Sequence, residues 1–374
     1  MASDTMAALC VAHIDAETAF SGGEVQVFLL IEGLRARGHQ NVLLCPPRSR
    51  CVLEAHAIGI PCREVGMRND VDLAAVVSLF RTLRRIRPDI VHLHTGRATW
   101  LGGIASRLAG IPAVTTRRMD RPVRRGIQTR LIYGHLVQRV AAISDAVADR
   151  LISGGVPPEK IEIIRSSIDP TRLVPDRGRA EVRALLGVGP REPVLLTLAV
   201  LARRKGIDVL LSSLAHLRAR GFEPFLWVAG EGPERSALER QAEELGLTAR
   251  VRFLGHRPDK ADLLAACDAA VLPSRMEGLG VAALEAMAAG RAVVASSVGG
   301  LREVVRHGET GFLVPPEDPK ALAEALFRLF EDEKLRTKMG EAGANRAVRE
   351  FHASQMVASY EQLYTSVLAT RKSQ

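Results

Sequence analysis

Short apolar runs alternate along this chain with longer stretches in which apolar residues recur at helical spacing. That alternation predicts strands joined by crossover helices, hence parallel sheets in an α/β fold. In the first half the predicted strands cover residues 8–14, 41–45, 89–93, 113–116 and 139–144, with a helix over 25–37 that Gly38 ends. A second series covers 193–199, 225–229, 251–254, 269–272, 292–296 and 311–314. Between them, 169–190 is rich in proline, glycine and charge and reads as a hinge. After Pro315-Pro316 the pattern is helical to the end. The expectation is two doubly wound, Rossmann-like domains facing across a cleft: 1–170, a hinge at 171–190, and 191–350, with a final helix over 351–374. Ligands would then bind at the carboxyl ends of the strands.

The segment with most chemical content follows the strand at 269–272. Glu277-Gly278-Leu279-Gly280 runs into the helix formers Val281-Ala282-Ala283-Leu284-Glu285. A glycine turn at a helix N-terminus presents backbone N–H groups and the positive end of the helix dipole, which suits a phosphate. Glu277 and Glu285 stand eight residues apart, roughly 12 Å if all were helical. Two acids cleaving one glycosidic bond need about 5 to 9.5 Å. The spacing instead fits two hydroxyl-rich ends of one ligand with phosphates between them, which describes a nucleotide-sugar.

Composition narrows the alternatives. A chain of 374 residues can bury two ordinary cores. Five cysteines without CxxC spacing read as free thiols in a reducing cytoplasm. No apolar run reaches the length of a spanning helix, and Asp4 stands where a signal peptide needs positive charge. The expected location is cytoplasmic, with peripheral contact at the inner face of the membrane as an additional expectation. The net charge of +9 concentrates at Arg81, Arg84, Arg85 and Arg87 on one predicted helix, and at Arg117, Arg118, Arg121, Arg124, Arg125 and Arg130. No aromatics interleave with these arginines, which argues against nucleic acid and leaves an anionic membrane or an acidic acceptor. Leu79, Leu83 and Ile86 among the arginines would form an amphipathic face for anionic lipid, or cover the sheet.

Other motifs sit at predicted strand ends. Ser21-Gly22-Gly23-Glu24 opens the first helix, where adjacent glycines admit a diphosphate or simply make a βα turn. His92 and His94 share one strand face; His92 reads as core, whereas His94 at the mouth would bond a sugar hydroxyl or the transferred phosphate. Arg203-Arg204-Lys205-Gly206 offers cations to a departing diphosphate, or is a solvated loop. Gly230-Glu231-Gly232-Pro233 reads as a turn with a helix starting at Pro233. Gly255, in Phe253-Leu254-Gly255-His256, would read a nucleobase edge through its backbone. Asp70-Val71-Asp72 reads as a helix cap rather than a metal site.

Together these motifs resemble glycosyltransferase family 4, the retaining GT-B enzymes, across nearly the whole chain. The strongest block is Pro273-Ser274-Arg275-Met276-Glu277-Gly278-Leu279-Gly280, continuing through Glu285 to Gly299-Gly300. The resemblance implies that Glu277 contacts the transferred sugar and Glu285 the ribose. It implies that Leu279, Gly280 and Lys205 hold the diphosphate, and that Gly22 and Gly23 close on donor and acceptor. It implies no metal and no cofactor, and a last helix that returns to the first domain. Four departures stand out. Ala199-Val200-Leu201 replaces the usual Gly-Arg-Leu, leaving Arg203 or Arg204 as substitutes; Leu279 replaces a phenylalanine; Ser166-Ser167-Ile168-Asp169 replaces Asn-Gly-Ile-Asp. A histidine is absent from Thr115-Thr116-Arg117-Arg118-Met119-Asp120, which turns Arg117 and Arg118 toward the acceptor side.

The function expected is retaining transfer of a hexose-like sugar from a nucleotide diphosphate to a cell-envelope glycan or glycolipid, of lipopolysaccharide or exopolysaccharide type. Glu277, His94 and Lys205 are the residues expected at the reacting centre. A nucleotide-sugar epimerase and a non-catalytic nucleotide-sugar-binding protein are the alternatives.

Overall fold

The computed structural model describes residues 8–372. Ser167–His352 forms one compact unit, and the described segments before and after it form the other. In the first unit a single sheet is ordered β3-β2-β1-β4-β5-β6-β7. Its strands are β1 Cys10–Ile14, β2 Gln40–Cys45, β3 Cys62–Glu64, β4 Ile90–Leu93, β5 Ala113–Arg117, β6 Arg139–Ala142 and β7 Ile161–Ile163. In the second unit the order is β10-β9-β8-β11-β12-β13. These are β8 Val194–Leu198, β9 Phe225–Ala229, β10 Val251–Gly255, β11 Ala269–Leu272, β12 Ala292–Ser296 and β13 Gly311–Val314. All the pairings are parallel. The strand order reverses between β1 and β4 and between β8 and β11, so each unit has its ligand crevice beyond the carboxyl ends of that pair.

Each predicted strand is present. The edge strands β3 (Cys-Arg-Glu) and β7 (Ile-Glu-Ile) lie outside the prediction, because three residues with charge among them carry no readable period. The first helix runs Gly22–Ala36, beginning earlier than its apolar pattern. Ser21 and Glu24 form a reciprocal capping box that fixes this start. Residues 171–190, expected as a hinge, belong to the second unit. Their helix Arg179–Leu185 is anchored by Arg183, which is 1% exposed and donates to Asp268 at 2.7 Å. Such a buried ion pair ties the segment to β8 and β11, since Asp268 also accepts the Val194 amide at 2.8 Å.

The last helix, Ala353–Lys372, belongs with the first unit, where it packs on Gly22–Ala36. A Cβ at Gly33 would lie 2.3 Å from Val357 Cγ2, so glycine sets how closely these helices approach. Tyr360 and Tyr364 on this helix are buried beneath β4 and β5.

Two further expectations are corrected, and one pair of alternatives divides. The helix Leu73–Ile86 has Leu79 and Leu83 fully buried, so these side chains cover the protein interior, one of the two roles expected of them. Arg87 is its left-handed C-cap at φ 52°, outside the helix that carries the other three arginines. The helix expected at Pro233 begins at Arg235, because Gly230 to Glu234 is held in turns against the carbonyl and amide of Leu201. Asp72 caps Leu73–Ile86 by accepting the Ala75 amide at 3.0 Å, as its sequence position predicts.

Candidate active site

In the second unit, β8 and β11 lead into the loops 199–206 and 273–280, and Arg275 binds these loops together. Its amide donates to the Arg204 carbonyl at 2.8 Å. Its guanidinium takes both carboxylate oxygens of Asp208 at 2.7 Å, and also reaches the Arg203 carbonyl and Glu317 at 2.8 Å. Gly206 sits at φ 65°, and a Cβ there would lie 2.0 Å from the Pro273 carbonyl oxygen, so only glycine permits this approach.

The consequence is that Lys205 and Glu277 meet. Their side chains form an ion pair that is 14% and 11% exposed, and Ser274 Oγ donates to the same carboxylate at 3.2 Å. Beyond Glu277 the chain turns through Gly280, at φ 98°, into the helix Val281–Ala288, which has no side-chain cap. The first-turn amides therefore face the loop with the positive end of the helix dipole. Gly300 explains the second glycine pair of the motif: a Cβ there would lie 2.5 Å from Leu279 Cα. Leu279 itself is buried, which leaves its backbone as the part that borders the crevice.

Glu285, on the same helix, pairs with Lys260 at 2.5 Å. The Arg203 and Arg204 side chains carry no hydrogen bond or ion pair among the described residues. Val200 is exposed beside them and offers no charge. Gly255 ends β10 at φ 67°, with its carbonyl accepting the Gly230 amide at 2.8 Å. Lysine and arginine thus lie beside an uncapped helix N-terminus, an arrangement whose chemistry suits an anion, flanked by two carboxylates able to accept from hydroxyls.

The first unit gathers a different set. The register pairs His13 of β1 with His92 of β4, and His94 lies two residues further on the same face. Gly22 and Gly23 open the first helix beside β1; a Cβ at Gly22 would meet nothing within 4 Å, so packing does not require glycine there. Arg117 and Arg118 divide in role. Arg117 turns back to the Arg121 carbonyl at 3.0 Å, whereas Arg118 points inward, with Nη2 3.3 Å from His94 Nδ1 and Cδ 3.5 Å from where a Gly23 Cβ would stand.

Burial governs the charges here. It pushes the Asp15 carboxyl up to about 7, opposed by the Glu17 amide and reinforced by Glu24. It pulls His13 down to about 4, and His92 and His94 well below the ordinary histidine value, so all three rings are neutral. Their ligand atoms lie within 4.8 Å of one another, close enough to consider a metal. All six ring nitrogens nevertheless have protein partners: Asn41 and His94 for His13, Tyr364 and Thr116 for His92, His13 and Arg118 for His94. A cation would have to break those bonds, and the set fits a polar network better than a metal centre.

His13, Asp15, Asn41, Lys260, Asp208, Tyr360 and Tyr364 escape the sequence reading. Apart from Asp15, which accepts the Glu17 amide at 2.8 Å, each has a partner 25 or more residues away, and no local motif signals them. His13 reaches His92 and His94 only through the register that pairs β1 with β4.

Family models match both halves. Residues 20–172 match Glycosyltransferase Family 4, and residues 179–346 match Glycosyl transferases group 1. The lipopolysaccharide core biosynthesis glycosyltransferase LpsE of Rhizobium meliloti is 30% identical over 318 residues, 80% of this chain and 88% of that protein. The chain belongs to glycosyltransferase family 4.

As a family 4 glycosyltransferase it is an enzyme of the GT-B type. It is also 29% identical over 233 residues to the N-acetyl-alpha-D-glucosaminyl L-malate synthase of Bacillus anthracis, a match spanning 62% of this chain and 61% of that protein. The crystal structure of HepE from Anabaena in complex with UDP-glucose superposes with a TM-score of 0.86 at 23% identity, covering 96% of this chain and 100% of that one. No helix among the described residues of this glycosyltransferase is long and apolar enough to cross a membrane.

Proposed function

We propose that this glycosyltransferase moves a hexose-like sugar, with retention and without a metal, from a nucleotide diphosphate to a cell-envelope glycan or glycolipid. The observation that carries the reading is the Lys205–Glu277 pair beside the uncapped helix at Gly280. On this reading the diphosphate lies over the Leu279 and Gly280 amides, with Lys205, Arg203 and Arg204 as its counter-charges. Glu277 accepts from hydroxyls of the transferred sugar and Glu285 from the ribose, each exchanging part of its bond to lysine for the ligand. His94 meets a sugar hydroxyl from the first unit, and Arg118 faces the acceptor.

No side chain is needed as a nucleophile. The bond from the anomeric carbon to the phosphate oxygen breaks as the acceptor oxygen attacks on the same face, and the acceptor proton passes to the departing phosphate oxygen. The protein contributes positioning and stabilisation of the developing diphosphate charge. HepE, whose crystal structure holds UDP-glucose, and LpsE, named for lipopolysaccharide core biosynthesis, support a nucleotide-sugar donor and an envelope acceptor. A thermal-shift screen across UDP-, GDP- and ADP-sugars tests the donor, followed by transfer to envelope glycolipids. Stabilisation by one nucleotide-sugar class and transfer with retained configuration are expected. A free, converted sugar from donor alone would identify an epimerase instead, and binding without any turnover would identify a sensor.

A further inference from the structure

A directed chain of hydrogen bonds crosses the first unit from Arg118 to the carbonyl of His39. Arg118 Nη2 lies 3.3 Å from His94 Nδ1, and a guanidinium can only donate. That nitrogen therefore carries a lone pair, and the proton of the neutral ring sits on His94 Nε2. His94 Nε2 lies 3.0 Å from His13 Nδ1, which must accept, so His13 in turn carries its proton on Nε2. His13 Nε2 lies 3.0 Å from Asn41 Oδ1. The far end fixes the same direction independently, because Asn41 Nδ2 donates to the His39 carbonyl at 3.1 Å and so turns its oxygen toward His13.

A reversed chain fails at both ends. It would set a His94 N–H against the arginine donor, and an Asn41 oxygen against the His39 carbonyl. His13, His94 and Asn41 are all buried, so neither clash could be relieved by water. In the neighbouring branch the Tyr360 hydroxyl oxygen is 2.8 Å from Thr116 Oγ1, which is 2.7 Å from His92 Nε2. Tyr364 lies at the other end of that branch, its hydroxyl 2.7 Å from His92 Nδ1. Three rings in van der Waals reach of one another, with centroids 3.9 Å apart for His92 and His94, stay uncharged and ordered.

We propose that Arg118, His13 and Asn41 are positioning residues that hold His94 as a neutral ring with its lone pair on Nδ1. The ligand group recognised there is then a donor, a sugar hydroxyl that takes the place of the Arg118 N–H, and not a phosphate oxygen, which can only accept. The displaced guanidinium becomes available to an anion on the acceptor. The choice of hydroxyl over phosphate rests on the proposed nucleotide-sugar transfer, whereas the polarity of the chain does not.

The test is ring-nitrogen NMR on the full chain labelled with 15N-histidine and free of ligand. His94 and His13 are expected as neutral rings protonated on Nε2 from about pH 6 to about pH 8, the range in which an ordinary histidine titrates. A His94 proton on Nδ1, or an imidazolium near neutral pH, overturns the proposal whatever the substrate proves to be. Asn41→Leu, which removes the terminal acceptor, is expected to mix the His94 tautomers and to raise the donor KM about tenfold, the equivalent of one hydrogen bond. Asn41→Asp keeps an acceptor toward His13 and, protonated, a donor toward His39, so it should preserve the Nε2–H tautomer. Loss of that tautomer in both variants would show that Asn41 serves packing alone and overturn its role. An unchanged His94 signal on saturation with the donor found by the screen overturns the hydroxyl contact while the ligand-free polarity is read separately.

Discussion

Lys205, at the end of the loop after β8, is ion-paired with Glu277 in the loop after β11, and Arg275 is what brings the two loops together. Both partners are mostly buried, so each is held by the other. The pair connects a residue suited to stabilising a departing diphosphate to one suited to a sugar hydroxyl.

Lys205→Ala should therefore lower turnover by on the order of 10² to 10³, the usual cost of removing a preorganised charge from a leaving group. Glu277→Ala should lower turnover more than nucleotide affinity, because the sugar and not the nucleotide loses its contact. Steady-state kinetics beside calorimetry with the nucleoside diphosphate separates the two effects. Equal losses in turnover and nucleotide affinity for Glu277→Ala would contradict its assignment to the sugar.

Gly206→Ala tests the loop tie without touching a charge. Its φ of 65° and the 2.0 Å approach to the Pro273 carbonyl combine left-handed strain with a backbone clash. Strain of this kind costs about 1–3 kcal/mol before the clash is counted. The urea midpoint should fall with little change in slope, and turnover should fall as Lys205 loses its register with Glu277. A variant as stable and active as the parent would show that the loops need no such contact.

Asp15 predicts an unusual pH dependence. Its folded pKa is raised to about 7 by burial, whereas an unfolded aspartate titrates near 3.9. The native state thus holds the extra proton, and this residue's contribution to stability is present below about pH 4 and lost as pH rises to about 7. The span corresponds to on the order of 4 kcal/mol. His13 acts in the opposite sense: its folded pKa of about 4 lies below the ordinary value of 6.5, so stability is lost as pH falls from 6.5 toward 4. Asp15→Asn should gain stability relative to the parent as pH rises, with Glu24, Glu17 and Arg118 as the neighbouring charges. A difference that stays constant from pH 4 to pH 8 would contradict the buried, protonated acid.

The fold was legible because its central strands are nearly pure apolar runs, such as Val-Leu-Leu-Thr-Leu in β8, bounded by turns. The edge strands β3 and β7 were not, since pairing with a single neighbour each, β2 and β6, and not their own pattern, makes them strands. The loop 273–280 was legible for a related reason: its glycines and carboxylates are close in sequence, with Glu277 in the loop and Glu285 on the helix Val281–Ala288 that follows. The first-unit site was largely hidden. His94 announced itself at the end of β4, but His13 and Asn41 reach it only through the sheet register, and Tyr360 and Tyr364 arrive from the far end of the chain. Lys205 was visible as a cation and Lys260 was not, and the pairing of the two with Glu277 and Glu285 depends on which strands are adjacent.

Glu285, paired with Lys260, is the carboxylate proposed for the ribose. Calorimetry with the stabilising nucleotide-sugar should show Glu285→Ala binding about 10- to 100-fold more weakly than the parent, as loss of hydrogen bonds to a charged group implies. Its circular dichroism and melting should remain near those of the parent. A Glu285→Ala protein that is folded and binds the nucleotide-sugar with parental affinity would contradict the account.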